Sequence, residues 1–259
     1  MIIIGEKLNS SIPKTFQAMQ KKDEKYILQL ISMQEESGAD YLDINTAICG
    51  KDELQIMEWI VDLVLKKSNC GIMVDSPSSE IILKVISNLN NRKFIINSLS
   101  LCERINELLP IVVEKKCGIV ALPIGADGMP KTYEEKIENS IKLIDILTSA
   151  GVFHENIYLD ILAEAIATDY KSGQVAIETI RGVRTAFPKV HITCGLSNIS
   201  FGLPKRSNIN NAFLASAVTA GLDSVIIDIT NASTKQMLFS SLAIAGKDEF
   251  CMDYLNISR

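Results

Sequence analysis

Short β-branched runs alternate with helical stretches eight times along this chain, and that alternation restricts its architecture more than any other feature. The expected strands are 2–6 (IIIGE), 41–45 (YLDIN), 71–75 (GIMVD), 94–98 (FIINS), 118–123 (GIVALP), 157–161 (IYLDI), 191–196 (HITCGL) and 224–228 (SVIID). Near-continuous apolar strands of this kind belong to parallel sheet buried on both faces. Helices are expected near 24–37, 53–67, 79–90, 102–116, 133–150, 173–187, 208–220 and 234–246. In the first of them Tyr26, Ile27, Leu30, Ile31 and Met33 form one stripe, and Gly38 supplies a C-terminal stop. Eight βα units imply a (β/α)8 TIM barrel. An open doubly wound sheet is the rival, but near-equal units without a glycine-rich phosphate loop favour closure. The 259 residues match the ~250 of one such barrel. No Pro/Gly-rich linker divides them, so 1–259 reads as a single domain.

Composition narrows the function classes. The chain is 47% hydrophobic but only 6% aromatic, which suits a core of small branched side chains. A formal charge of −5 argues against a nucleic-acid partner, which needs a basic face. No stretch approaches the ~18 continuous apolar residues of a membrane span. The opening Met1-Ile2-Ile3-Ile4-Gly5-Glu6 has no basic leader, so no signal peptide is expected, and the cytoplasm is the expected location. Six scattered cysteines with no C-x-x-C pair read as reduced and mostly buried. His154 and His191 show no ligand spacing and are expected to be structural, with no metal site.

In a (β/α)8 barrel the chemistry sits at the C-terminal ends of the strands. Those ends carry Glu6, Asp43 and Asn45, Asp75, Asn97, Asp160, Asn198 just past the seventh strand, and Asp228. No lysine, arginine or histidine stands among these strand-end residues. One Asp or Asn after a strand caps the next helix well; a whole ring asks for a further reason. Carboxylates accept hydrogen bonds and carboxamides both accept and donate, so the ring suits a ligand with several coplanar N–H groups and repels an anion. The pyrimidine edge of a reduced pterin, with its 2-amino group and ring N–H, is such a ligand. Each bond to a charged acceptor would contribute ~1.5–3 kcal/mol.

The segments GEKLN (5–9), LDIN (42–45), IMVDS (72–76), IINS (95–98), LDIL (159–162), GLSNISFGLP (195–204) and RSNINNAFLASAVTAGLDSVIID (206–228) resemble the pterin-binding methyltransferases. That family includes methyltetrahydrofolate:corrinoid/iron–sulfur protein methyltransferases and the folate-binding module of cobalamin-dependent methionine synthase. The resemblance covers essentially the whole chain. It implies that Asp75, Asn97 and Asp160 hold the pyrimidine side of the pterin, that Asp43 and Asn45 line the same pocket, and that Asn198 reaches nitrogen 5. At one position the pattern departs: the corrinoid/iron–sulfur enzymes tend to carry glutamine where Phe201 stands here, so no glutamine role transfers.

The reaction implied is methyl transfer between nitrogen 5 of tetrahydrofolate and the cobalt of a corrinoid. Asn198 would be the catalytic residue, donating to the nitrogen as its lone pair develops, with the proton drawn from water, through a network that could include the aspartates. No D-x-H-x-x-G motif for binding cobalamin is present, so the corrinoid is expected on a separate protein that meets the loop at 199–207. Lys205 and Arg206 in that loop read either as solvated charges or as contacts for a glutamyl tail or the partner. The resemblance also implies a homodimer, which light scattering checks against the 28.5 kDa monomer. Tetrahydrofolate or methyltetrahydrofolate is expected to bind without metal or any other cofactor. Dihydropteroate synthase is the main alternative, but it needs a lysine after strand 7 and an Arg-x-His near strand 8. Here Gly195-Leu196-Ser197-Asn198 and Asp228-Ile229-Thr230 occupy those places. A non-catalytic folate carrier is the other. The direction of transfer stays open at this point.

Overall fold

A computed structural model describes residues 1–89 and 92–257. Eight parallel strands, β1 (Ile2–Asn9), β2 (Tyr41–Asn45), β3 (Gly71–Asp75), β4 (Phe94–Ser100), β5 (Gly118–Leu122), β6 (Ile157–Asp160), β7 (His191–Thr193) and β8 (Ser224–Ile227), form one sheet in the order β7-β6-β5-β4-β3-β2-β1-β8. The two ends of that order meet. Ile226 N–H donates to the Cys194 carbonyl at 3.0 Å and Asp223 N–H to the Ile192 carbonyl at 3.4 Å. The expected (β/α)8 barrel is therefore present, with its weakest seam between β7 and β8.

Alternation along the strands sorts the side chains. Ile3, Leu42, Ile44, Ile72, Val74 and Ile96 face the helices in the large core, whereas Ile4, Met73, Ile95, Val120 and Tyr158 form a small cluster inside the barrel. That apolar plug closes the barrel centre beneath the polar strand ends, so a ligand can enter only from above. At the opposite end His191 is structural: its Nδ1 lies 2.9 Å from Asp223 and its ring stacks on Tyr158 at 4.8 Å.

The helices among the described residues are α1 (Pro13–Lys21), α2 (Glu24–Glu36), α3 (Glu53–Lys67), α4 (Ser79–Ile86), α5 (Ile105–Lys115), α6 (Tyr133–Ser149), α7 (Ser172–Ala186), α8 (Arg206–Ala220), α9 (Ala232–Ile244) and α10 (Met252–Ile257). Two of them, α1 and α10, fall where the sequence pattern indicated none. The first buries only Thr15, Ala18 and Met19 and the second buries nothing, so neither writes a full apolar stripe. Pro13 at the first turn of α1 was the available signal. Helix α4 ends at Ile86, short of the expected 79–90, and position 90 lies outside the described residues. No helix is long and apolar enough to cross a membrane.

Other expectations need correction. On α2 the stripe continues through the fully buried Gln34, while Met33 is 40% exposed. Strands β5, β6, β7 and β8 stop before the positions anticipated, and β4 runs past its expected end to Ser100. Strand β1 likewise runs on to Asn9. Among the cysteines Cys70, Cys117 and Cys194 are buried, Cys49 is half-buried, and Cys102 and Cys251 are exposed; all are free thiols.

Candidate active site

The extension of β1 shapes the mouth of the barrel. Its register against β2 slips between Gly5 and Leu8: Gly5 faces Leu42 and Leu8 faces Ile44, so Glu6 and Lys7 together oppose Asp43. Such a bulge leaves a ladder donor unpaired, and Gln34 of α2 takes it, its Oε1 accepting the Lys7 N–H at 2.9 Å. Only glycine fits at position 5, because an added Cβ would lie 2.4 Å from that same oxygen. The result is a carboxylate and an ammonium delivered to one rim. Lys7 Nζ pairs with Asp228 at 2.6 Å, so a lysine that the strand-end reading did not include stands among the strand ends. Asp228 also accepts from Thr230 N–H and Oγ1 at 3.2 and 2.6 Å. It acts as the cap and counter-ion of its own turn.

The remaining strand ends converge. Asn45 Nδ2 donates to Asp75 Oδ2 at 2.7 Å, while Asn45 Oδ1 accepts from Ser10 Oγ and from the Ala47 N–H. Asn97 lies beside Asp43, whose charged form its amide favours, and its Nδ2 lies 3.6 Å from Met73 Sδ. Asp160 Oδ1 accepts the Leu162 N–H at 2.7 Å. Arg104, on the loop after β4, donates to the Ser76 carbonyl at 2.8 Å beside Asp75. Asp43 is only 2% exposed, yet its Oδ1 has no hydrogen-bond partner. A buried acceptor left without a donor is costly; this one lies within reach of the charges of Asp75 and Glu6.

Crowded carboxyls in a place that water barely reaches hold their protons. Burial pushes Asp160 up to about 6, against the Leu162 N–H and the ammonium of Lys136. Burial likewise brings Asp75 to about 6, against the Asn45 amide and Arg104 and with Glu53 adding to the rise. Asp43 stands well above the usual carboxylate range through burial first, then the charges of Asp75 and Glu6. Burial also raises Glu6, whose carboxylate accepts Ser197 Oγ at 3.0 Å. Asp75 and Asp160 can thus accept or release a proton near neutral pH without a metal's help. Among the described residues, no group of three or more His, Cys, Asp or Glu side chains is arranged as a metal site.

After β7 the chain turns at Gly195 into a short 3-10 helix, Leu196–Ser200. Asn198 on this turn is exposed at the mouth, over Gly195, and its amide makes no hydrogen bond within the described residues. The turn is held by others: Arg206 Nη2 donates to the Ser197 carbonyl at 2.6 Å and its Nε to Ser200 Oγ at 3.0 Å. Arg206 is thus a clamp for the turn. Phe201 is 71% exposed, with the Arg206 guanidinium 5.8 Å from its ring centre. Sequence reasoning passed over Lys7, Gln34, Arg104, Ser197 and Lys136. Of these, only Lys7 and Ser197 lie inside motifs already noted.

Cavities of about 790 and 460 Å3 open at the other end of the barrel, around Tyr41, Arg92 and Lys93. There Arg92 donates to the carbonyls of Ser68 and Cys70 after α3. That end stabilises helix termini and is lined by the basic side chains Arg92, Lys93, Lys115 and Lys116, so the polar ring is the better candidate for a donor-rich ligand.

A family model for pterin-binding enzymes matches residues 5–228. The chain is 33% identical over 257 residues to a methylcorrinoid:tetrahydrofolate methyltransferase from Eubacterium limosum, covering 98% of this chain and 94% of that protein. It is 32% identical over 241 residues to a methionine synthase from Mycobacterium tuberculosis, covering 88% of this chain and about a fifth of that much longer protein. In structure it is similar to a dihydropteroate synthase from Coxiella burnetii in complex with pteroic acid. The TM-score is 0.70 at 15% identity, with 95% of this chain and 93% of that one covered. A dihydropteroate synthase from Xanthomonas albilineans gives 0.69 at 17% identity, covering 94% and 91%; at such identities the likeness concerns the fold alone. Barrel, acceptor ring and near-full-length identity together show that the chain belongs to the family of pterin-binding enzymes that includes methylcorrinoid:tetrahydrofolate methyltransferase.

Proposed function

We propose that this enzyme transfers a methyl group between nitrogen 5 of tetrahydrofolate and the cobalt of a corrinoid carried by a separate protein, with Asp43, Asn45, Asp75, Asn97 and Asp160 receiving the pterin and Asn198 serving nitrogen 5. The observation that carries the reading is the surplus of acceptors at one mouth. Asp43 Oδ1 lacks a donor, and Asp75 and Asp160 each engage a single oxygen within the chain. A pterin's 2-amino and ring N–H groups are donors of the required kind.

Transfer to tetrahydrofolate forms a carbon–nitrogen bond as the carbon–cobalt bond breaks, leaving the electron pair on cobalt. Nitrogen 5 then gives up its proton. In the reverse direction that nitrogen must regain one, and its lone pair develops as the methyl leaves. On this reading the exposed amide of Asn198 donates to it, which is electrostatic stabilisation and not proton transfer. Carboxyls held near neutrality by burial are suited to relay the proton. The name of the Eubacterium limosum relative supports transfer from a methylcorrinoid toward tetrahydrofolate. A dihydropteroate synthase activity is disfavoured, since no lysine stands on the turn after β7.

The deciding experiment incubates the protein with tetrahydrofolate and a methylated corrinoid, free or protein-bound, and measures methyltetrahydrofolate. Sustained turnover is expected. Folate binding with no transfer in either direction would leave a carrier, and absence of folate binding would reject the site.

A further inference from the structure

Lys136 lies outside the polar ring and none of the chemistry above assigns it a part. It belongs to the first turn of α6. That turn is fixed by a capping box: Thr132 Oγ1 accepts the Glu135 N–H at 3.2 Å and the Glu135 carboxylate accepts the Thr132 N–H at 3.2 Å. From there the lysine runs inward and is only 2% exposed. Its Nζ donates to the carbonyls of Ile161 and Leu162 at 3.0 and 2.7 Å. These are the two residues that follow Asp160, and Leu162 returns its own N–H to the Asp160 carboxyl at 2.7 Å. Leu162 sits in the left-handed region at φ +53°, a conformation a branched residue adopts only when its surroundings hold it there.

Two neutral carbonyls do not balance a buried ammonium. Taking such a charge out of water is costly unless an anion lies close by. Two carboxylates act on Lys136 from beyond direct ion-pair distance, first Glu164 on the loop that follows β6 and then Asp160 at its end. From β7's side, Asp160 faces the thiol of Cys194, pushed up by burial and then by the Asp160 charge. No other titratable group acts appreciably on this aspartate. On α6 itself the nearest polar neighbour is Ser140, whose Oγ donates to the Lys136 carbonyl at 2.6 Å.

We propose that Lys136 is a positioning residue for the pterin site, whose buried ammonium both fixes the left-handed turn after β6 and keeps Asp160 in the carboxylate form that accepts the pterin's N–H groups. Its effect on folate rests on the reading of Asp160 as a pterin ligand; its effect on Asp160 does not. Burial alone drives the Asp160 proton toward retention, and only the Leu162 N–H and this ammonium oppose it. Without the ammonium, Asp160 would keep its proton to higher pH, and a protonated carboxyl offers the ligand a donor where it needs an acceptor.

The test uses Lys136→Gln, which can still donate to the two carbonyls, and Lys136→Met, which cannot. In ligand-free protein the Asp160 carboxyl is titrated by 13C NMR, its signal assigned by loss in Asp160→Asn. The midpoint is expected to rise by about one pH unit or more in both variants. With Asp160 starting from about 6, a one-unit rise should weaken tetrahydrofolate binding about twofold at pH 7 and about fivefold at pH 6, with recovery by about pH 9. An unmoved midpoint, with any binding loss flat across pH, would show a mere peg for the turn and overturn the proposal. Should both variants fail to fold, the coupling is read from the other side, because it is reciprocal. Asp160→Asn must lower the Lys136 ammonium midpoint, followed by its 13Cε shift, and an unchanged value overturns the proposal. If Asp160 shifts as expected but Asp160→Asn binds tetrahydrofolate normally, the pterin assignment fails and the coupling stands.

Discussion

Asp160 and Asn198 share one mouth but differ in what surrounds them, and that difference separates binding from catalysis. The Asp160 carboxyl is deeply placed, with one oxygen held by the Leu162 N–H and the other free. Asp160→Ala is expected to weaken tetrahydrofolate binding tenfold or more by titration calorimetry, since a charge-assisted bond contributes ~1.5–3 kcal/mol. Unchanged affinity there and in Asp75→Ala would remove the site assignment. Asn198 has an amide with no internal partner, on a turn already clamped by Arg206. Asn198→Ala should therefore leave melting unaltered and folate affinity nearly so, while methyl transfer falls about a hundredfold, as for lost transition-state donors elsewhere. Binding, rate and melting falling together would instead mark Asn198 as a loop-ordering residue.

At the scale of elements, the bulge in β1 and the helix behind it form one unit. Gly5 makes room for Gln34, and Gln34 satisfies the N–H that the bulge exposes. Gly5→Ala forces a buried side chain to move and should cost ~1–3 kcal/mol. Gln34→Ala orphans the Lys7 N–H and should cost a similar ~1–3 kcal/mol. Because the added methyl group would strike Gln34 itself, the double variant should be markedly more stable than the sum of the two losses predicts. Urea denaturation of the four proteins measures this, and strict additivity would show that the two residues do not act as a unit. The same bulge explains why Lys7 reached the mouth unforeseen: its alternation is broken, so a strand reading that stops at Glu6 discards it.

For the whole molecule, the buried carboxyls set an unusual dependence of stability on pH. Asp75 and Asp160 are held at about 6 against 3.8 when unperturbed, and Asp43 and Glu6 are raised as well. Between those values the folded protein retains protons that the unfolded chain has released. Stability therefore falls as pH rises from about 4 toward 6, by up to ~1.4 kcal/mol per group for each pH unit crossed. Asp223 moves the other way: burial would raise it, but His191, the Ile192 N–H and Arg184 hold it below its usual value. Its contribution is therefore lost only below about pH 4. Melting should thus occur at higher temperature at pH 5 than at pH 7.5, and the gap should shrink in Asp75→Asn and Asp160→Asn. An equal or lower melting temperature at pH 5 in the wild type would contradict the burial of these groups.

The barrel itself was legible because its signal is repeated and local. Eight β-branched runs between amphipathic helices leave few ways to hide their apolar faces, and the acidic and amide strand ends from Glu6 to Asp228 follow from where each run stops. Short elements such as α1 and α10 bury too little to leave a pattern. What the tertiary structure decided is the division of labour among residues that look alike in sequence. Asp160 ends its strand and Asp228 directly follows its own, yet Lys7 neutralises Asp228, while Asp160 stays open beside a lysine brought in from α6. Asn45 supports Asp75, whereas Asn198 keeps its amide free. Those assignments depend on which side chains distant in sequence meet at the mouth, and on how much water burial removes from each. Neither is written in the local spacing of residues, because both arise only when the strands close.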